Sequence, residues 1–447
     1  MRRTLLMGAT LFFGTLSLAE PIHTHGASTP PVERAVLPNG LRILVIRQPH
    51  LPMVVVSALV DAGGRFDSEG KEGLASLTAN LLTEGTEKRS AAEIHDAIDF
   101  LGAKLSAAAG DDYGNVSLTV LKKDLAEGFD LFCDVLLHPK FAKTEFERKR
   151  QEGLAELEAD EQNPGSVAER AFRKVLFGTG PYRSEPSGWK ESVAKLAIGD
   201  VKAFFQAAYQ PQRTILVASG DTTLAEMSDL TERLLGGWKG GASEAKLPEG
   251  RSRATPDLIR INRDLTQANV VFGHLGTTRD DPDWYAIQVM NYILGGGGFS
   301  SRMMNSIRIE AGLVYSVFSY FVPGKLPGSF QVVLQTKSAT TGEALRRVRE
   351  EIEHIRSRPV SDEELASAKK YLTGSFPLRF DSDAEIVGFY SQVEFYGLGL
   401  DYPDRYDGLI NAITKDDVLR VAKKYLHPDE AIVVIVGKQA DIQLPAK

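Results

Sequence analysis

Four consecutive glycines, Gly295-Gly296-Gly297-Gly298, form the run most open to a chemical reading. A glycine-rich turn cradles phosphate when a strand leads into it and a helix begins at it, because helix N-terminal N–H groups then meet the anion. Here the preceding residues, through Ile293-Leu294, read as a helix. Ser300 stands where a dinucleotide fingerprint has its third glycine, and no Gly-Lys-Ser/Thr follows. A helix–helix turn is the plainer reading. His23, His25, His50, His95, His138, His274, His354 and His427 include no pair at i and i+4, so the simplest helical zinc clamp is missing from the sequence. His23 and His25 lie in a polar, proline-bearing segment and read as solvated. Cys133 is the single cysteine, which excludes an intrachain disulfide and a cysteine-held zinc. Nothing resembles a nucleophile elbow for Ser-His-Asp catalysis. Arg308 and Tyr315, seven apart around Gly312, read by themselves as a solvated helix residue near Glu310 and a half-buried strand residue.

The elements that must position any such group come from a chain of 447 residues with 52 Lys+Arg against 59 Asp+Glu, a net charge of −7, and 43% hydrophobic residues. That composition supports a large core and excludes disordered, collagen-like and disulfide-scaffold classes. The acidic balance argues against general nucleic-acid binding, which needs a basic face. Arg2 and Arg3 precede an apolar run from Leu5 to Leu18, and Ser17-Leu18-Ala19 supplies small residues at a cleavage spacing. Residues 1–19 therefore read as a secretory signal peptide cut after Ala19, since the run is about 14 residues against the ~20 needed to span a bilayer. No later stretch is apolar for long enough to span, so no stable membrane insertion is expected. Export follows, to the periplasm in a two-membrane bacterium. Residues 20–34 read as a flexible N-terminal arm.

The rest reads as one unit written twice. Leu41–Arg47 and Met53–Ala62 are β-branched runs, Asn115–Leu121 alternates as a strand, and helices are expected near 70–84, 90–102, 122–137 and 143–161, then from Ser166 and from Ile198. A glycine-rich stretch from Gly236 through Pro256 marks a linker over 236–257. The order then recurs: strands near 258–263, 268–275 and 327–336, and helices near 282–294, 340–357 and 361–375. Tyr209-Gln-Pro211 leading to Thr214–Gly220 matches Tyr425-Leu-His-Pro428 leading to Ala431–Gly437, at an offset of 216 to 217. Glu145-Phe146 followed by Arg150 matches Glu364-Leu365 followed by Lys369, at an offset of 219. Two homologous α+β domains are expected, at 35–235 and 258–440, each a largely antiparallel sheet with helices on one face.

Assembled, these residues resemble the pitrilysin/insulinase family of inverted-zincin peptidases. The resemblance runs from Ala35 to Gly437. It is carried by Leu37-Pro-Asn-Gly-Leu-Arg-Ile-Leu44, Asp61-Ala-Gly-Gly-Arg-Phe66, Glu72-Gly-Leu-Ala75, Leu82-Thr-Glu-Gly-Thr86, Gly180-Pro-Tyr182 and Tyr209-Gln-Pro211. In the second half it is carried by Leu294–Arg302, Ile307-Arg308 and Gly312-Leu-Val-Tyr315-Ser316. The family holds zinc with His-x-x-Glu-His on a helix after the Gly-Leu-Ala segment. Aligned on that segment, the three positions here are Ser76, Ala79 and Asn80, while a third ligand, a Glu roughly 75 residues on, is matched by Glu156. The resemblance thus implies a member without its own metal site and with no cofactor in this chain. It also implies that Arg308 and Tyr315 bind the substrate backbone and stabilise the oxyanion in a zinc-bearing partner. Some family members are heterodimers of this kind. In the mitochondrial processing peptidase a glycine-rich loop on the non-zinc subunit contacts substrate, which implies a substrate-binding role for Gly295, Gly296, Gly297 and Gly298. The expectation is a non-catalytic subunit of an exported heterodimeric zinc metallopeptidase, forming half of a clamshell that encloses peptide. The alternative is a catalytically inactive structural or peptide-binding homodimer of the same fold.

Overall fold

The structure is a computed structural model and describes residues 31–240, 245–250, 252 and 255–444. The expected signal peptide, residues 20–30 of the expected arm, and His23 and His25 lie outside the described residues.

The first half runs β1 (Val32–Val36), β2 (Arg42–Arg47), β3 (Met53–Val60), α1 (Leu74–Asn80), α2 (Ala91–Phe100), β4 (Lys104–Ala109), β5 (Gly114–Leu121), α3 (Leu125–Leu137), α4 (Lys143–Asp160), α5 (Pro164–Phe177), α6 (Lys190–Val193), α7 (Ile198–Ala208), β6 (Thr214–Gly220) and α8 (Leu224–Leu235). The second runs β7 (Asp257–Asn262), β8 (Gln267–Leu275), α9 (Trp284–Asn291), two π-helical segments (Tyr292–Gly296 and Met304–Glu310), β9 (Val314–Val322) and β10 (Ser329–Lys337). It continues through α10 (Thr341–Ser357), α11 (Asp362–Ser375), α12 (Asp383–Tyr396), α13 (Tyr402–Asn411), α14 (Lys415–Tyr425) and β11 (Ile432–Gly437). The sheets have strand orders β1-β2-β6-β3-β5-β4 and β7-β11-β8-β10-β9. Setting β1 aside, these are the same order. In each, one parallel pair, β2 with β6 or β7 with β11, sits in an otherwise antiparallel sheet. Helices α5 and α12 are 219 residues apart at both ends, and α7 and α14 are 217 apart at both ends, so the duplication is structural.

Local chemistry fixes many of the boundaries. Ser90 with Glu93, Ser361 with Glu364 and Thr414 with Asp417 form capping boxes that satisfy the first N–H groups of α2, α11 and α14. Asn163 caps α5, with Pro164 in its first turn. β1 corrects the expected arm: residues 32–34 begin a strand that pairs antiparallel with β2, from Val32 opposite Ile46 to Val36 opposite Arg42. Only five residues long, with exposed Glu33 and Arg34, an edge strand of this kind carries little apolar alternation in its sequence. The second domain also extends past both expected ends, since β7 starts at Asp257 and Ile442 is buried in the core.

Helices cover both faces of each sheet, not the single face expected. One face of the first sheet packs on α1, α3, α7 and α8. The other, lined by Leu44, Ile46, Val55, Leu59, Ile215 and Val217, packs on Ile386, Val387 and Tyr390 of α12, a helix from the second half. Reciprocally, Phe172 and Leu176 of α5 pack on Val271, Ile432, Val434 and Val436 of the second sheet. The two halves therefore exchange helices, and α5 belongs to the first half in sequence but to the second in packing. Burial on both faces explains why β3, β6 and β11 read as near-continuous apolar runs, interrupted in β3 and β6 by Ser57, Thr214 and Ser219. Gly273 on β8 permits the close approach of α5: a Cβ there would stand 2.7 Å from Phe172 Cζ.

Candidate functional site

The residues aligned with the zinc motif lie on α1. Ser76 is half-buried, Ala79 is buried and Asn80 is exposed, and Glu156 on α4 is exposed to solvent. A hydroxyl, a methyl and a neutral amide do not supply the imidazoles and carboxylate that zinc takes, so these residues do not fit the metal. Among the described residues no group of three His, Cys, Asp or Glu could hold a metal ion. The acidic residues near α1 are spent on structure. Asp67 accepts hydrogen bonds from Gly73 N at 2.8 Å and Ala75 N at 3.0 Å, fixing the start of α1. Burial pushes its carboxyl up to about 8 despite those bonds. Glu72 is paired with buried Arg183 at 2.9 Å. His274 and His427 form another structural pair. The His274 ring bonds Leu275 O through Nδ1 at 2.8 Å and accepts from His427 N through Nε2 at 2.9 Å, and burial lowers its pKa to about 4.

Arg308 and Tyr315 come together. Arg308 lies on the second π-helical segment, which closes through Gly312 at φ +63°, where Gly312 N donates to Arg308 O at 3.1 Å. Two residues on, β9 begins and carries Tyr315. The guanidinium carbon stands 5.4 Å from the Tyr315 ring centroid and 4.9 Å from that of Phe299. Its Nη1 reaches Met304 Sδ at 3.9 Å, and among the described residues no carboxylate pairs with it. Tyr315 is 73% exposed. The result is a cation held by aromatic faces with unspent donors, beside a phenol open to solvent. Such a pair can bind a carbonyl and donate to a developing oxyanion.

The glycine run forms the first π-helical segment and the turn after it. A Cβ at Gly295 would stand 2.5 Å from Ser319 Oγ, at Gly296 2.7 Å from Asn291 Nδ2, and at Gly297 2.7 Å from Tyr292 O, while Gly298 has φ +55°. Asn291 Nδ2 donates to Ser319 O at 3.0 Å and Ser319 Oγ donates to Asn291 Oδ1 at 2.8 Å, pinning the turn to β9. The four glycines expected to face substrate differ in exposure. Gly295 is buried against β9, which leaves Gly296, Gly297 and Gly298 with access to solvent. π-helical turns are rare and concentrate at functional sites. One of the two here holds Arg308 and the other ends within the glycine run. Phe299 joins the site without having been expected there, since the sequence shows only one aromatic after a glycine turn.

The β9–β10 hairpin that carries Tyr315 is anchored at its far end in the first half of the molecule. Asp112, before β5, accepts from Lys325 N and from Tyr396 OH, both at 2.9 Å, and from Tyr182 OH, and it pairs with Arg65 at 3.4 Å. Asp112, Tyr182 and Tyr396 border a cavity of about 240 Å³ between the halves. Burial, and then the Asp112 charge, raises both phenol pKa values, so Tyr182 and Tyr396 stay protonated donors.

Two tandem α+β units with the same strand order apart from β1, and with exchanged helices, define a class of duplicated two-domain protein. Residues 42–185 match the family model described as insulinase (peptidase family M16), and residues 195–372 match that of the peptidase M16 inactive domain. The chain belongs to this insulinase, or pitrilysin, family, as a non-catalytic member. It is 28% identical over 419 residues to an uncharacterized zinc protease of Streptomyces coelicolor, covering 92% of this chain and 90% of that one. It is 27% identical over 381 residues to the non-peptidase homolog YmxG of Helicobacter pylori, covering 84% of this chain and 87% of the relative. The crystal structure of a peptidase M16 inactive domain from Pseudomonas fluorescens superposes with a TM-score of 0.86 at 29% identity, covering 93% of this chain and 99% of that one.

Proposed function

We propose that this protein is the substrate-binding, non-catalytic subunit of an exported heterodimeric zinc metallopeptidase. It supplies Arg308 and Tyr315 to the zinc site of a homologous partner bearing His-x-x-Glu-His. The observation that carries this reading is a pair with nothing to do at home. Arg308 is oriented by two aromatic rings without a carboxylate partner among the described residues, and Tyr315 stands in solvent, on a chain whose α1 offers Ser76, Ala79 and Asn80 to a metal. A structural arginine at half burial would be expected to sit in an ion pair, as Arg302 does with Glu364 at 2.6 Å. In the complex, Arg308 holds a substrate carbonyl with its forked donors and Tyr315 donates to the oxyanion. Arg2, Arg3 and the apolar run to Leu18 support export, and the periplasm in a two-membrane bacterium.

The test is affinity purification of the tagged chain from its own host. A stoichiometric polypeptide of similar size bearing His-x-x-Glu-His is expected, with chelator-sensitive cleavage of unfolded peptides by the pair and none by this chain alone. The name of the Helicobacter relative, a non-peptidase homolog, favours a second reading: an inactive structural or peptide-binding homodimer. A stable homodimer that co-purifies with no zinc-motif chain would establish it.

A further inference from the structure

Phe299 is 66% exposed, yet its backbone is fixed. Gly298, at φ +55°, turns the chain into a single 3-10 turn over Gly298–Ser300. Ser301 Oγ donates to Gly298 O at 2.7 Å, and Asn305 Nδ2 donates to Phe299 O at 3.2 Å and to Ser301 O at 3.0 Å. The next side chain, Arg302, is clamped by the Glu364 carboxylate through two bonds of 2.6 and 2.9 Å. A large ring kept in water on an anchored backbone, and lying against the Arg308 guanidinium, is preorganised for a contact made elsewhere.

The ring's position defines that contact. Phe299 and Tyr315 both present ring faces to the Arg308 guanidinium, at 4.9 and 5.4 Å, and Ile309, directly after Arg308, is 57% exposed. A guanidinium lying over ring faces directs its N–H donors past the ring edges, where a planar oxygen acceptor meets them. The ligand that satisfies both features carries such an oxygen together with a bulky apolar group that covers the rings. A peptide carbonyl on a residue with an aromatic or long aliphatic side chain has both. An acidic side chain would satisfy the cation but leave the rings in water.

We propose that Phe299 is a specificity-determining residue. It forms the wall of a side-chain pocket beside Arg308, and the site selects extended polypeptides in which the residue whose carbonyl is held is bulky and apolar. This rests on the reading of Arg308 as a carbonyl-binding residue and adds the substrate class. The loop of Gly296, Gly297 and Gly298 then serves to place Phe299.

The experiment is fluorescence anisotropy with the full-length chain and three labelled peptides of Gly, Ser and Ala that differ only in a central Phe, Ala or Asp. The wild type is expected to bind the Phe peptide about tenfold more tightly than the Ala peptide. Phe299→Ala removes that preference while changing the Ala-peptide affinity little, and Phe299→Leu retains most of it. Arg308→Ala weakens the Phe and Ala peptides by a similar factor and keeps the preference. The proposal is overturned if wild type shows no preference, if the Asp peptide binds most tightly, or if Phe299→Ala weakens the Phe and Ala peptides alike. Wild-type affinities in Arg308→Ala would instead overturn the carbonyl-binding reading itself, which separates the two failures.

Discussion

At the scale of single residues, each charged or polar group has either a structural partner or none, and the difference assigns its role. Asp67, Glu72, Arg183 and Asp112 are consumed by capping and buried pairing. Arg308 is not. The role proposed for it rests on the family resemblance carried by Ile307-Arg308 and Gly312–Tyr315, because a motif fixes spacing. Phe299 was not legible, since one aromatic after four glycines has the same pattern as any turn residue. His274 supplies a pH prediction. Its folded pKa is lowered from 6.5 to about 4 by burial, so between those values the unfolded chain binds a proton that the folded chain does not. Stability contributed there is present above pH 6.5 and lost as the pH falls toward 4, by roughly 3 kcal/mol in all. Asp67, whose carboxyl is raised to about 8, contributes in the opposite sense over the same range, so the His274 loss is read as the difference between wild type and His274→Gln in urea unfolding from pH 7.5 to 4.5: the wild type is expected to lose stability relative to the variant as the pH falls.

At the scale of elements, the site depends on two π-helical turns and a strand. The glycine turn is locked to β9 by Asn291 and Ser319, and Gly295 leaves no room between them. Gly295→Ala is expected to lower stability by about 1–3 kcal/mol through overpacking. Calorimetry would record this as a fall in the thermal midpoint, and peptide binding would weaken as β9 shifts. Helices with clean caps were visible in the sequence: α2, α11 and α5 start within two residues of expectation. Elements without such signals were not. β4 is built mostly of small residues, Lys104-Leu-Ser-Ala-Ala-Ala109, and carries no β-branched or aromatic strand signal. α12 buries Ile386, Val387, Tyr390, Val393 and Phe395 against two different cores, which blurs its 3.6-residue period.

For the whole molecule, the duplication was legible as constant offsets, but the exchange of α5 and α12 was not. An offset reports which segments are equivalent and says nothing of which sheet each one covers. The exchange makes the halves interdependent. Expressed separately, residues 35–235 and 258–440 each leave one apolar sheet face bare, so each alone is expected to lack near-ultraviolet circular dichroism and to aggregate. Co-expression should restore the native spectrum. The same interlock, with Asp112 gripping the β9–β10 hairpin, fixes the Arg308 site to the frame of the entire chain.

In the proposed function, a chain with Ser76, Ala79 and Asn80 at the zinc-motif positions completes the active site of a partner that bears His-x-x-Glu-His. The most direct measurement is kcat/KM for an unfolded peptide cleaved by the complex with its zinc-motif partner, comparing wild type with Arg308→Ala combined with Tyr315→Phe, and with complex formation followed by size-exclusion chromatography. A fall of about 10²–10³ with association intact is predicted, the magnitude typical of losing oxyanion donors. Equal cleavage by the variant and wild-type complexes would contradict the claim.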